Sequence, residues 1–245
     1  QAPSNAKFLV LLVLVVMAPV IFTWITSSPG KSEADFDRLL NAGKTYYDTG
    51  EAQKAIDAFS QVLQHKPTET DLLLNLANAH RLANQPAEVI KFASEALAID
   101  NNIGAGHFLV GCAHLRLNQT TNAIQALQQS YDIDNTVGAV GYLLGKTKLA
   151  VGNFEDAVLY LEEVASFEED HLGAAYTWSQ ALMQAGRPDE AKAALELHQQ
   201  RIADKQMPDD QAAWEKCIYT EVKIPFKPDQ PSDAGIAVKF VDATA

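Results

Sequence analysis

Two histidines, His80 and His114, stand 34 residues apart. An imidazole can ligate a metal ion or move a proton near neutral pH. A zinc site needs further ligands converging on one point, and no Cys/His spacing of that kind surrounds either residue. Both are therefore read as packed core histidines. The stretch "DIDNTVG", Asp132 to Gly138, has the oxygen-rich look of a calcium loop. It lacks the glycine at the sixth place and the bidentate Glu at the twelfth, so it reads as a junction between helices. Glu162, Glu163, Glu168, Glu169 and Asp170 read as a solvated acidic face, with a calcium or basic-partner site as the minor alternative. Asn118-Gln119-Thr120 is a glycosylation sequon, meaningful only in a eukaryotic secretory or similar setting. No nucleophile–base motif, phosphate-cradling loop or dinucleotide-binding glycine pattern occurs. No enzyme activity, cofactor or metal is expected.

Charge and cysteine content narrow the classes further. The net charge of the 245 residues is −12, and no basic run or basic–aromatic interleaving appears. Binding to a nucleic-acid backbone needs clustered Lys and Arg to displace counterions, so no nucleic-acid partner is expected. Two cysteines, Cys112 and Cys217, make no disulfide framework. They would pair only if the C-terminal tail folded back onto the middle of the chain, and two unpaired thiols are the expectation.

The 34-residue spacing of the histidines belongs to a wider pattern. Gly50, Asn84, Asn118, Gly152 and Gly186 follow one another at that interval. Both residue types, Gly and Asn, tolerate the left-handed conformation that ends a helix. Seven residues before each stands Gly43, Ala77, Gly111, Gly145 or Ser179, small enough for two antiparallel helices to approach closely. Five residues after each stands Ala55, Val89, Ala123, Ala157 or Ala191. Nine after, the side chain is large in Phe59, Leu127, Leu161 and Leu195, and small in Ala93. Pro86 and Pro188 fall where a second helix would begin, a position that suits proline. A fixed period without insertions signals an array of helical hairpins, each needing its neighbours to bury its apolar face.

The first unit carries Gly43, Tyr46, Gly50, Ala55, Phe59 and Pro67. In this the chain resembles the tetratricopeptide repeat family over roughly residues 36–205. Later units depart from the pattern: the proline becomes Asn101, Asn135 and Glu169, and the tyrosine becomes His80 and His114. The resemblance implies an all-α, right-handed superhelical solenoid of five 34-residue hairpins. The expected organisation is an N-terminal membrane anchor over 1–30 and a solenoid over 31–207, in units 36–69, 70–103, 104–137, 138–171 and 172–205. A capping helix over 208–220 and an extended tail or linker over 221–245 complete it.

"FLVLLVLVVMAPVIFTWITSS", Phe8 to Ser28, carries no charge and is long enough to span a bilayer. Trp24 suits the interface. A cleavable signal peptide is the rival reading, but Pro19 and Pro29 follow the small residues where cleavage would fall. A retained single-pass helix is the expectation. Lys31, Arg38 and Lys44 outnumber Lys7 across it, which by the positive-inside count favours a cytoplasmic array. Bacterial relatives with one N-terminal helix often face the periplasm, so the resemblance implies an extracytoplasmic array, periplasmic or at the cell surface.

After the repeats, Trp214, Cys217 and Ile218 would share one face of a capping helix. Pro225, Pro228 and Pro231 then argue for extended chain. "GIAVKFVDATA" is weakly similar to the strand leading into FG-GAP-type β-propellers. With Gln1 at the start, it leads to the expectation that the natural chain is longer.

In the resembled family the first helix of each unit lines a concave groove that binds polypeptide. Carried over by register, the groove here comprises Asn41, Lys44, Asn75, Asn78, Arg81, Phe108, Tyr142, Lys146, Tyr176 and Met183. Its early part is polar and suits a peptide backbone or carboxylate; its later part is aromatic and aliphatic and suits an apolar segment. The chain's own tail is one candidate occupant. Packing between helices is the competing role for these side chains. Leu40 stands where chaperone-binding members place a lysine, so no carboxylate clamp is assigned. The expected function is a membrane-tethered interaction scaffold that helps assemble a membrane or cell-surface complex. The alternative is a structural arm or spacer of a larger surface protein or filament.

Overall fold

The computed structural model describes residues 33–167, 172–205 and 217–224. Among them are ten α-helices and no strand. They are α1 (Glu33–Asp48), α2 (Ala52–Leu63), α3 (Thr70–Leu82), α4 (Pro86–Ile99), α5 (Gly104–Arg116), α6 (Thr120–Ile133), α7 (Gly138–Ala150), α8 (Phe154–Phe167), α9 (Leu172–Gln184) and α10 (Pro188–Lys205). Every helix packs on the next one in the chain, and α3 also meets α5 as α7 meets α9. Five hairpins therefore stack into a solenoid.

The turn within each hairpin is built the same way five times. Gly50, Asn84, Asn118, Gly152 and Gly186 all have positive φ, between 56° and 84°. In the first, the Glu51 amide reaches back to the Tyr46 carbonyl and the Gly50 amide to the Tyr47 carbonyl. The same pair of bonds closes the other four turns. This is the Schellman arrangement, which satisfies carbonyls left open at a helix end. Pro86 and Pro188 are the first residues of α4 and α10.

The small residues seven before each turn set the distance between paired helices. A methyl group at Gly43 would run into the Phe59 ring, and one at Gly111 would stand 2.7 Å from Leu127 Cγ. Where the large partner is missing, two alanines meet instead: Ala77 and Ala93 are both fully buried. The second helices show one apolar stripe. α2 buries Ala55, Ile56, Phe59 and Val62, spaced by three and four residues. First helices are enclosed on several sides, and α3 buries every residue from Leu72 to His80.

The apolar span expected over 8–28 lies outside the described residues. Among the described residues, no helix is long and apolar enough to cross a membrane. The capping helix expected over 208–220 also lies mostly outside them. Its last four residues, 217–220, form a turn in which the Thr220 amide donates to the Cys217 carbonyl. Pro225 and everything after it, including the segment similar to a propeller lead-in, are outside as well.

Candidate functional site

Residues Cys217 to Ile224 lie across the first helices of the array. Three side chains on that face hold the main chain of this segment. The Tyr47 hydroxyl donates to the Thr220 carbonyl at 2.7 Å. Asn78 Nδ2 donates to the Tyr219 carbonyl at 3.2 Å. Asn75 makes two bonds to one residue: its Nδ2 donates to the Lys223 carbonyl at 2.6 Å, and its Oδ1 accepts from the Lys223 amide at 2.9 Å. An amide side chain offers both a donor and an acceptor, so it can copy the pairing of a neighbouring β-strand. Asn75 and Asn78 are 2% and 1% exposed, so neither has water as an alternative partner.

Arg81 braces this set. Its guanidinium donates to the Tyr47 hydroxyl at 3.0 Å and approaches Asn78 Oδ1 at 3.5 Å. A cavity of about 730 Å³ opens beside the segment, lined by Lys44, Tyr47, Arg81, Leu82, Ile218 and Glu221, among others. Lys44 there is paired with Asp48 at 3.0 Å.

Tyr219, Val222 and Ile224 of the segment point inward. Tyr219 lies with its ring centroid 5.9 Å from that of Phe108, over Gly104, where any side chain would strike its hydroxyl. Its hydroxyl faces Asp134 Oδ2 at 3.4 Å. Burial, with the Asp134 carboxylate as a second cause, pushes the Tyr219 phenol up to about 12. Asp134 is held below the usual carboxylate range, chiefly by the Thr136 hydroxyl and amide. Val222 is buried in the cluster of Phe36, Leu40, Leu72 and Leu76, and Ile224 packs against the same cluster. The segment thus runs from the third unit toward the first, antiparallel to the order of the repeats.

Models of the tetratricopeptide repeat match residues 46–105 and 148–214, and a second one matches 106–136. Together these span more than half of the chain. The chain belongs to the tetratricopeptide repeat family. Solved structures of MamA share the fold. One is 20% identical with a TM-score of 0.62, over 71% of this chain and 96% of its own. MamA 41-end from Desulfovibrio magneticus RS-1 is 12% identical with a TM-score of 0.64, over 71% of this chain and 98% of its own. A third, MamA from AMB-1, is 15% identical with a TM-score of 0.60, over 74% and 98%. At these identities the likeness is one of fold. No curated protein matches the chain by sequence.

As a tetratricopeptide array, the chain has a groove face that can be read from its own contacts. Tyr47, Asn75 and Asn78, which hold the segment, stand four after, two before and one after the small residue of their helices. The same register in the fourth and fifth units brings Leu143, Lys146, Leu149, Thr177, Gln180 and Met183 onto the face. A cavity of about 770 Å³ sits there, lined by Leu149, Ser179, Gln180, Met183, Lys192 and Leu195, among others.

The predicted groove residues divide accordingly. Asn75, Asn78 and Arg81 come together around the segment. Asn41 is exposed, and Lys44 lies beside the segment in its ion pair. Phe108 and Tyr142 stand three residues before the small position and turn inward, at 0% and 5% exposure. Phe108 underlies Tyr219, and Tyr142 packs toward the fifth unit with its hydroxyl 3.5 Å from Thr177 Oγ1. Lys146 stands over the Tyr142 ring. Tyr176 occupies the same register as Tyr142 but is 43% exposed, and Met183 is also exposed. Tyr47 shares the register of Arg81, four after the small residue, and that register places it on the groove face. Gly104 and Asp134 have no such register, and nothing in the sequence ties Asp134 to Tyr219, 85 residues away.

The two histidines serve the turns. His80 Nδ1 and His114 Nδ1 each lie 2.6 Å from a glutamine oxygen, of Gln85 and Gln119, across the bend. His80 also stacks on Phe92. Glu163 of the acidic face accepts from the Tyr131 hydroxyl and from Asn135 Nδ2. Glu168, Glu169 and Asp170 lie outside the described residues. Cys112 is buried and Cys217 half-buried in one apolar cluster, and neither is in a disulfide. Burial pushes the Cys217 thiol up, away from the reactive thiolate.

Proposed function

We propose that this tetratricopeptide chain is a membrane-tethered interaction scaffold whose groove binds a partner polypeptide. The span 8–28 is the tether, and the array faces the extracytoplasmic side, where it helps assemble a membrane or cell-surface complex. The role is binding, not catalysis. The observation that carries the reading is the hold of Tyr47, Asn75 and Asn78 on the main chain of residues 219–223. A surface that pairs with backbone in this way is suited to extended polypeptide of many sequences. The face continues past that segment to Lys146, Gln180 and the exposed Met183, which leaves room for a second chain.

The test is purification of the full chain from its native membrane in mild detergent, as wild type and as Tyr176→Ala/Met183→Ala. Both side chains are exposed, so the helices should fold unchanged. A stoichiometric partner present with wild type and lost with the variant supports the reading. A partner retained at full stoichiometry removes the open groove from it. Release of the chain by alkaline carbonate alone would remove the tether.

A second reading has its own observation. Residues 217–224 return the chain from the last unit to the first, and Ile224 packs beside Phe36. An array that fixes the exit of its own chain suits a structural arm of a larger surface protein. An intact mass well above that of the 245 residues, with no separate partner, favours this alternative.

A further inference from the structure

The seated segment has the sequence CIYTEVKI; it opens on the turn at 217–220, and its side chains divide into two sets. Tyr219, Val222 and Ile224 face the array, whereas Ile218, Glu221 and Lys223 are exposed. Its hydrogen-bond partners Tyr47, Asn75, Asn78 and Asp134 all belong to the first three units. Three of the four touch only its main chain. Sequence is read at two places. One is a slot over Gly104 and Phe108 that ends at Asp134 and fits a hydroxylated ring. The other is an apolar pocket of Phe36, Leu40 and Leu72 that fits a β-branched side chain three residues later.

We propose that the first three units form a reading site for a segment of pattern Tyr-x-x-Val-x-Ile that enters on a turn. Residues 217–224 are its internal occupant, and a partner polypeptide bearing the same pattern displaces them. This rests on the scaffold reading and names the class of partner. The hydrogen-bond partners named above all lie in the first three units, so a segment presented from another chain can make the same bonds. The internal copy follows α10 after eleven residues, 206–216, and a connection of that length holds it at an effective concentration in the millimolar range. A partner's apparent affinity is lowered by the fraction of grooves already filled.

The test uses a fluorescein-labelled peptide of residues 217–224, with serine in place of the cysteine, and fluorescence anisotropy. It is titrated into the full wild-type chain and into the full Tyr219→Ala/Val222→Ala chain, whose internal copy is crippled. The variant should bind at least tenfold more tightly than wild type. Peptides with alanine for the tyrosine and valine should bind neither chain, and Asn75→Ala added to the variant should abolish binding. Equal binding by both chains, equal binding of a scrambled peptide, or no binding to a folded variant would each overturn the proposal. Should the variant fold poorly, wild type decides. Excess peptide must remove hydrogen-exchange protection from the Lys223 amide, and unchanged protection overturns displacement. Dimerisation of wild type at micromolar concentration would put a second copy's segment in the groove and overturn the internal occupant. A scrambled peptide that binds as well as the true one leaves the scaffold reading standing. Loss of the native partner's dependence on Tyr176 and Met183 strikes that reading alone.

Discussion

Asn75→Ala isolates the grip of the groove on the main chain. The substitution removes two hydrogen bonds, at 2.6 and 2.9 Å, from a side chain that is almost wholly buried. A typical bond contributes about 0.5–1.5 kcal/mol net, and more when its partner is left dry. Lys223 is exposed, so water can reach its amide and carbonyl once the segment lifts, and the middle of the range applies. The expected cost is about 2 kcal/mol for keeping the segment seated. That raises the lifted population about 30-fold. Trypsin reads this directly, because the bond after Lys223 is cleaved only from the lifted state when lifting is fast. Cleavage there should accelerate by about the same factor, with circular dichroism unchanged. Asn41→Ala, at the equivalent exposed place in α1, is the control and should change nothing. A rate at Lys223 within twofold of wild type in Asn75→Ala would refute the reasoning.

Three further outcomes follow from packing and titration. Gly111→Ala puts a methyl 2.7 Å from Leu127 Cγ and 3.3 Å from its amide nitrogen, and should destabilise by about 1–3 kcal/mol in urea melts. Leu161→Ala, fully buried, should cost about 2–5 kcal/mol, whereas Leu195→Ala, at the same repeat position but 36% exposed, should cost less than half as much. The Tyr219 phenol, neutral when docked, titrates at about 12, against about 10 when free. Its contribution to docking is therefore complete below pH 10 and lost as pH rises from 10 toward 12. The ultraviolet difference titration between wild type and Tyr219→Phe should show a midpoint above the free-tyrosine value, and a midpoint at 10 contradicts the buried slot.

The hairpins were legible because each depends on a few residues close in sequence. A left-handed residue at Asn84 or Gly152 and a small residue seven before it fix the turn and the helix spacing within about twenty residues of chain. The groove was legible in part, for a related reason. Asn75 and Asn78 interrupt a run of apolar and small residues in α3, and polar residues in such a run need a partner once buried. Phe108 and Tyr142 were harder. They stand one residue from the Asn75 register, about 100° around the helix, and that step separates groove from interior. Asp134 was out of reach, since its partner Tyr219 is set by the path of the tail and by no repeat.

That path changes how the array should be regarded. A solenoid is nearly one-dimensional, with each unit resting on its neighbours alone. Residues 217–224 break this rule. Tyr47 is joined to Thr220 across 173 positions, Asn75 to Lys223 across 148 and Asn78 to Tyr219 across 141. The first unit is thereby tied to the third through a segment that neither supplies. Asn75 and Asn78, almost fully covered, would be left with unmet polar groups if that segment were missing, unless water or another chain took its place. Two neighbouring polar residues on a buried helix face are a standing demand for backbone. The tail meets that demand within the chain, and the same demand makes the groove receptive to a partner that offers backbone in the same register.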